Sequence, residues 1–137
     1  MSRTSSLELR VRYAETDMMG VVYHSNYLVW CEIGRTDHIR SSGMTYRQME
    51  EAGILLAVAE ATIRYRAPAR YDDLIRVETM LTDVSSRAVT FEYLITNAAT
   101  TERLATARTV LIALDPSHRV IKLPLDIRER LERDTGP

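Results

Sequence analysis

Residues 13–27 read YAETDMMGVVYHSNY, and this stretch separates two regular patterns. Before it, apolar and charged residues alternate from Leu7 to Tyr13, which predicts a half-buried strand. After it, the composition is helical from about Ser25 to Ser42, and Gly43 is a stop signal. The stretch therefore predicts a loop that leads from the first strand into the first helix.

The first helix is apolar on consecutive positions over residues 27–31, rather than along one stripe. A helix that is apolar all round is normally buried all round. This pattern predicts a central helix that a sheet encloses. The second half, residues 35–40, is more polar, and we expect it to emerge toward solvent.

The rest of the chain predicts a short helix, a run of strands and a charged final helix. Thr45 is the predicted N-cap of the short helix, which ends near Ala52. Strands that follow one another after a helix favour an α+β fold with an antiparallel sheet. We therefore expect a single domain over residues 1–137. Its strands are predicted at 74–84, 88–96 and 103–114, with a less regular one at 54–65 and the final helix at 124–133.

Composition and charge exclude several classes of function. The chain has 137 residues and a net charge of −1, without the basic excess that is typical of nucleic-acid-binding proteins. Its single cysteine, Cys31, and three scattered histidines predict neither an internal disulfide nor a metal site. No run of 18 apolar residues and no signal peptide are present. The sequence thus predicts a cytoplasmic protein without a membrane span.

The loop could carry acyl-transfer chemistry. Asp17 precedes a helix, and the first amides of a helix are unpaired and partly positive. A carboxylate there can attack a carbonyl carbon or activate water, while amides near His24 stabilise the oxyanion. The alternative is structural, because Asp, Ser and Asn before a helix are commonly caps, and Gly20 would then serve only a turn. Residue pattern alone leaves both interpretations open.

The spacing within the loop resembles a known signature. Eight of its fifteen positions match the pattern of the 4-hydroxybenzoyl-CoA thioesterase-like family, including its Tol–Pal-associated acyl-CoA thioesterase branch. The resemblance extends over about residues 7–115. The matching residues are Tyr13, Asp17, Gly20, Val22, Tyr23, His24, Asn26 and Tyr27.

The resemblance implies a hotdog fold, in which an antiparallel sheet wraps around one long central helix. It further implies a homodimer formed by edge-to-edge extension of the sheet, a dimer of dimers, and an acyl-CoA substrate, so that no separate cofactor is needed. Asp17 would be the essential catalytic carboxylate, with His24 and Tyr13 as further catalytic residues. Arg87 is the candidate contact to the CoA phosphates, with Arg66 or Arg70 in reserve. The implied substrate contacts in the loop are Gly20, Val22, Tyr23, Asn26 and Tyr27.

Two other functions compete with thioester hydrolysis. One is a hotdog acyl-CoA hydratase or dehydratase, and the other is a non-catalytic module that binds acyl-CoA. The sequence also leaves open whether Asp17 is a nucleophile or a general base, and which acyl group is preferred. Trp30 and Cys31 are interpreted as core residues. We expect pocket depth to depend on Met18, Met19, Tyr46, Leu55, Leu56 and Val58.

Overall fold

An antiparallel sheet with a long helix across one face forms the centre of the protein. The computed structural model describes residues 3–135. The five strands lie in the order β1-β3-β4-β5-β2, and every neighbouring pair is antiparallel. The predicted α+β class is thereby confirmed. The elements are β1 (Thr4–Arg10), α1 (Asn26–Ser41), α2 (Tyr46–Glu51), β2 (Leu55–Tyr65), β3 (Leu74–Val84), β4 (Ala88–Asn97), β5 (Arg103–Leu114) and α3 (Leu125–Asp134).

The sequence located most elements correctly, with β1 as the exception. The observed β1 ends at Arg10 instead of continuing to Tyr13. Beyond that point the Val11 amide donates to the carbonyl of Asp73, and Tyr13–Glu15 forms a 3₁₀ turn. The less regular segment is an eleven-residue strand, β2, with a register shift between Val58 and Glu60.

Helix α1 lies against the sheet with one face. Its buried residues recur at helical spacing and face the core. The expectation that its first half is buried all round is wrong for the single chain, because Val29 and Ile33 are each 43% exposed. They lie four residues apart, so they form an uncovered apolar strip on the opposite face. The buried residues are Tyr27, Trp30, Cys31, Gly34, His38 and Ile39.

The second half of α1 does not emerge into solvent as predicted. His38 is buried, with Nδ1 2.6 Å from the Ser5 hydroxyl and Nε2 hydrogen-bonded to Asp134. Burial lowers the pKa of His38, against the opposing effect of Asp134. The ring is therefore neutral at pH 7; since a carboxylate can only accept, Nε2 donates to Asp134 and Nδ1 accepts from Ser5. These bonds satisfy a buried polar group and fasten α1 to β1 and α3.

Gly34 allows α1 to approach β3 closely. A Cβ atom at this position would lie 2.4 Å from Thr79 Oγ1 and 2.9 Å from Val77 Cγ1. Both neighbours are β-branched, buried and held in a central strand, so neither can move aside cheaply. Glycine is needed here for space between helix and sheet.

Gly34→Ala should lower the free energy of unfolding by about 1–3 kcal/mol, since the added methyl overpacks the interface. This loss outweighs the gain of about 1 kcal/mol that alanine brings to a helix interior. Urea denaturation followed by circular dichroism measures the effect.

The double variant Gly34→Ala/Thr79→Ala is the matched test of this cause. Thr79 Oγ1 is buried without a hydrogen-bond partner in residues 3–135, so its removal leaves no broken bond and relieves the closest contact. We expect the double variant to regain part of the lost stability. If the losses of unfolding free energy from the two single substitutions simply add in the double variant, a clash at Thr79 is contradicted.

Candidate active site

The loop between β1 and α1 is a tight hairpin with a four-residue turn. Thr16 and Val22 form an isolated antiparallel bridge. Inside it, the Gly20 amide donates to the Asp17 carbonyl at 3.0 Å, and the Asp17 amide donates to the Val21 carbonyl at 2.9 Å. Gly20 has a φ of 78°, a region that glycine enters without strain. The positive φ explains why a glycine occupies this position of the turn.

Asp17 does not cap α1. Its Oδ1 accepts from the Met19 amide at 2.8 Å, which closes a local turn at the tip of the loop. The N-cap of α1 is Ser25, whose side chain makes no capping hydrogen bond. Among residues 3–135, no hydrogen bond to Asp17 Oδ2 is present. The bond to Oδ1 thus orients the carboxylate, and Oδ2 is left free to contact a substrate or a water molecule.

Glu15 connects this hairpin to α1 through hydrogen bonds. Its carboxylate is buried, although the residue carries a charge. Oε1 accepts from the Arg12 amide at 2.8 Å, and Oε2 accepts from Trp30 Nε1 at 2.9 Å. Its carbonyl accepts from the Tyr23 amide and from Asn26 Nδ2, both at 2.9 Å. Glu15 therefore holds both branches of the hairpin against the first turns of the helix.

The chain at His24 presents an unused amide beside the start of α1. Within residues 3–135 no acceptor is hydrogen-bonded to the His24 amide, whereas its carbonyl accepts from the Tyr65 hydroxyl at 2.8 Å. The imidazole is exposed and contacts the Tyr23 ring, with ring centroids 4.4 Å apart and the ring planes tilted by 44°. An oriented carboxylate and a fixed free amide in one loop are the two groups that acyl transfer requires.

The other predicted loop residues divide into exposed and internal ones. Tyr13 is 76% exposed, and its ring contacts Tyr71 edge-on. Val22 and Tyr27 are buried, and the Tyr27 hydroxyl accepts from the Ala69 amide at 3.0 Å. Asn26 uses its side-chain amide on the Glu15 carbonyl. Contacts of these residues with a substrate stay a prediction, whereas their part in holding the loop is directly visible.

The candidate phosphate contacts lie at opposite ends of the sheet. Arg66 and Arg70 lie just beyond Tyr65, the last residue of β2. The Tyr65 hydroxyl donates to the His24 carbonyl, so this end of β2 adjoins the loop. Arg87 lies in the turn before β4, where Ala88 pairs with Ile112 near the far end of β5. That end adjoins Leu55, at the other terminus of β2. Within one chain, Arg87 is therefore remote from Asp17.

Two residues of the site escaped the sequence analysis. From the sequence, Glu15 would be taken for a solvent-exposed acid, because the residues around it do not indicate a contact with Trp30, fifteen residues away. Tyr65 reaches His24 across forty-one positions, and one sequence carries no signal for such a contact. The Glu15 carboxylate accepts from the Arg12 amide across the 3₁₀ turn, but Arg12 is not one of the Ser, Thr, Asp or Asn residues that mark a capping box in a sequence.

Cys31 has no nucleophilic role at neutral pH. It is fully buried, and this burial raises the pKa of the thiol to about 12.

Among residues 3–135, no three His, Cys, Asp or Glu side chains come together as metal ligands. In the same part of the chain, no helix combines the length and the apolar character needed to cross a membrane.

Comparison with known proteins identifies the family. Residues 11–131 match the model of the thioesterase-like superfamily, a range that covers the loop, strands β2 to β5 and most of α3. The chain belongs to this superfamily. The expected hotdog fold is thereby confirmed.

Relatives of this thioesterase-like protein include named bacterial proteins and solved structures. YneP of Bacillus subtilis is 44% identical over 95 residues, which is 69% of this chain and 69% of YneP. The acyl-CoA thioester hydrolase YbgC of Escherichia coli O157:H7 is 32% identical over 108 residues, covering 79% of this chain and 80% of YbgC. The DHNA-CoA thioesterase of Staphylococcus aureus superposes with a TM-score of 0.90 at 33% identity, covering 95% of this chain and 89% of that one.

Glu15→Gln should destabilise this thioesterase-like protein by about 1–3 kcal/mol. Glutamine has a single acceptor oxygen, so its NH₂ group must face either the Arg12 amide or Trp30 Nε1, and both are donors. Urea denaturation gives the free energy of unfolding.

Glu102→Gln is the matched control, because Glu102 is exposed and its carboxylate forms no bond among residues 3–135. Its change should stay within about 0.5 kcal/mol. Equal effects of the two substitutions would show that the buried carboxylate of Glu15 does not hold the loop.

Proposed function

We propose that the protein is an acyl-CoA thioesterase that releases free acid and CoA, with Asp17 as its catalytic carboxylate. The observation that carries this proposal is the pairing, in one rigid loop, of an Asp17 carboxylate with a free oxygen and an unused His24 amide. YbgC, a relative at 32% identity, is an acyl-CoA thioester hydrolase. The S. aureus relative acts on a CoA thioester as well, as its name states.

In the proposed reaction the thioester carbonyl oxygen accepts from the His24 amide. Asp17 Oδ2 either attacks the carbonyl carbon or takes a proton from the attacking water. Collapse of the tetrahedral intermediate breaks the C–S bond and releases the CoA thiolate. The general-base route gives the free acid at this step, whereas the covalent route leaves an acyl anhydride on Asp17 that water then hydrolyses to the acid and the free carboxylate. A thiol with a pKa near 8.5 leaves with little assistance. His24 and Tyr13, both exposed on this loop, are the proposed groups that orient water or protonate the thiolate.

Asp17→Asn should reduce turnover of acyl-CoA by at least about 10²-fold, because asparagine can neither attack nor accept a proton. The Asn side-chain oxygen can still accept from the Met19 amide, so the fold should persist. Release of CoA is followed with a thiol-reactive dye, and circular dichroism reports folding. Near-complete retention of turnover would refute the assignment of Asp17.

Isotope labelling separates the two roles of Asp17. In a single turnover in ¹⁸O-water, label in the Asp17 carboxylate requires covalent attack followed by addition of water to the Asp17 carbonyl of the anhydride. General-base catalysis places label only in the product acid and leaves no acyl adduct on Asp17 in a quenched turnover. Mass spectrometry of the loop peptide and of the acid distinguishes these results.

The two competing functions give different products from the same assay. A hydratase or dehydratase would change the absorbance of an enoyl-CoA without releasing thiol. A binding module would retain acyl-CoA unhydrolysed. Either result with the native chain would replace the thioesterase proposal.

We also propose that the homodimer forms through the outer edge of β2. This strand pairs with β5 on one side only, and Val58 and Tyr65 on it are 48% and 43% exposed. It is eleven residues long, and Glu60 is the only charged residue before Arg64. A long apolar edge of this kind is a template for pairing with another strand. The other edge, β1, is shorter and carries the exposed charges Glu8 and Arg10.

Val58→Lys should raise the dimer dissociation constant about tenfold or more, because a lysine on an edge strand opposes pairing and symmetry introduces it twice. Light scattering over a dilution series measures the change. Val120→Lys is the control, since Val120 is similarly exposed, at 54%, but lies outside β2. Equal effects of both substitutions, or no effect of either, would reject the β2 interface.

Further assembly into a dimer of dimers, the cytoplasmic location and the Tol–Pal-associated branch stay predictions. The exposed strip of Val29 and Ile33 on α1 supports a second contact between copies, since it is apolar and uncovered in the single chain.

A further inference from the structure

Tyr65, the last residue of β2, reaches the loop before α1 from the sheet. Its hydroxyl donates to the His24 carbonyl at 2.8 Å, and the two residues are forty-one positions apart in the chain. His24 is also the residue whose free amide is proposed to bind the thioester oxygen. The proposed reaction gives Tyr65 no role, although its hydroxyl is bonded to the residue that carries this donor.

The sheet fixes the backbone of Tyr65. In the register of β2 with β5, Tyr65 lies opposite Ala105. The next amide along the chain, that of Arg66, donates to the Leu104 carbonyl at 2.8 Å. Ala105 and Leu104 are buried, and their strand lies between β4 and β2 inside the sheet. Since a tyrosine side chain has only two χ angles, its hydroxyl has little freedom once the strand is fixed.

The ring of Tyr65 is also held from the side of the helix. It contacts the Tyr27 ring edge-on, with ring centroids 5.1 Å apart, and the His24 ring at 6.4 Å. Tyr27 is itself buried in the first turn of α1, where its hydroxyl accepts from the Ala69 amide. Edge-to-face pairs of aromatic rings are attractive. These contacts hold the Tyr65 hydroxyl in the direction of the His24 carbonyl.

The Tyr65 hydroxyl carries its proton at pH 7. Burial raises the pKa of this phenol, and the neighbouring Tyr27 and Cys31 act in the same direction. A neutral phenol donates one hydrogen bond. Within residues 3–135, the His24 carbonyl is the acceptor to which it is bonded.

The bond from Tyr65 limits where the His24 amide can lie. The residues on either side are held by their amides, because the Tyr23 amide donates to the Glu15 carbonyl and the Asn26 amide donates to the Tyr23 carbonyl. His24 lies between them with its own amide free, so its carbonyl is the backbone group through which it is held. An oxyanion donor is effective when it is already oriented before the reaction.

We propose that Tyr65 is a positioning residue of the thioesterase reaction, which holds the His24 amide where the thioester oxygen becomes negatively charged. This inference rests on the proposed thioesterase function. Tyr65 acts through His24, while the bond-breaking chemistry stays with Asp17. A strand outside the loop thereby contributes to the orientation of a group that the loop supplies.

Tyr65→Phe tests this role, because it keeps the ring and removes only the hydroxyl. The substrate is hexanoyl-CoA or benzoyl-CoA, whichever the native protein hydrolyses faster. We expect kcat to fall about tenfold, since a water molecule that replaces the hydroxyl is not held by the strand and leaves the His24 amide less well oriented. KM should stay within about twofold, because the oxygen gains its full charge only in the transition state. A thiol-reactive dye reports CoA release, and circular dichroism reports folding.

Tyr71→Phe is the matched control. Tyr71 is exposed, as Tyr65 is, and its ring contacts Tyr13 of the same loop edge-on. Its hydroxyl forms no hydrogen bond within residues 3–135, so both kinetic constants should stay native. An unchanged kcat in Tyr65→Phe, a loss confined to KM, or equal losses of kcat in the two variants would overturn the positioning role.

Nuclear magnetic resonance tests the same bond without turnover. The His24 carbonyl and the Ser25 amide belong to one peptide group, so a bond to the carbonyl polarises the amide. In the ¹H–¹⁵N spectrum of Tyr65→Phe, the Ser25 amide proton should therefore move upfield. The Gly20 amide, which donates to the Asp17 carbonyl in the same loop, should not move. A Ser25 signal that stays in its native position would contradict the bond.

A substrate analogue separates failure of this inference from failure of the proposed function. In the ketone analogue of the chosen acyl-CoA, a CH₂ group replaces the thioester sulfur, so the carbonyl can bind but cannot be hydrolysed. Binding should move the His24 amide proton downfield in the native protein and less in Tyr65→Phe. If the native protein hydrolyses the thioester but both forms show equal shifts, only the role of Tyr65 is refuted. If no thioester is hydrolysed, the proposed function is refuted, and the titration alone decides: a smaller shift in Tyr65→Phe supports the positioning of His24, whereas equal shifts or none refute it.

Discussion

The close approach of α1 to the sheet at Gly34 determines where the rest of the protein can lie. Because Gly34 has no Cβ, the helix backbone contacts the side chains of Thr79 and Val77 of β3 directly. This contact sets the distance between the start of the helix and the sheet. The loop before the helix must then fold back within a short distance. It does so through the bridge between Thr16 and Val22, and the position of Asp17 follows from this closure.

The loop is held by a buried carboxylate, an arrangement that is costly unless the group is hydrogen-bonded and paired. Each oxygen of Glu15 accepts one hydrogen bond, from the Arg12 amide and from Trp30 Nε1, and the Arg12 guanidinium lies 3.7 Å from Oε1. Since Trp30 is a core residue of α1, the helix itself orients the loop. Any reaction that depends on the position of Asp17 is therefore coupled to core packing, and a change in the core below Trp30 would be felt at the loop. The side chains of Met18 and Met19 at the tip of the loop are exposed and take no part in this support.

The sequence predicted those features that depend on local pattern. Alternation located β3 and β5 because both faces of those strands differ in polarity, and Thr45 marked the start of α2 because capping is local. The loop was recognised from the spacing around Asp17, although only the structure excluded a capping role. The burial of His38 and Glu15 could not be predicted, because their partners, Asp134 and Trp30, are brought to them by tertiary folding. Polar residues look solvated in a sequence whenever the groups that satisfy them are distant along the chain.

The groups proposed to break the thioester bond lie within twelve residues of one another, from Tyr13 to His24, so a single hairpin can hold them. Their positions nevertheless depend on residues that are distant in the sequence. Trp30 of α1 donates to the Glu15 carboxylate, and Tyr65 of β2 donates to the His24 carbonyl. The hairpin is thus fastened at two points to the helix and the sheet, and a substitution at either point would displace the proposed catalytic groups without touching them.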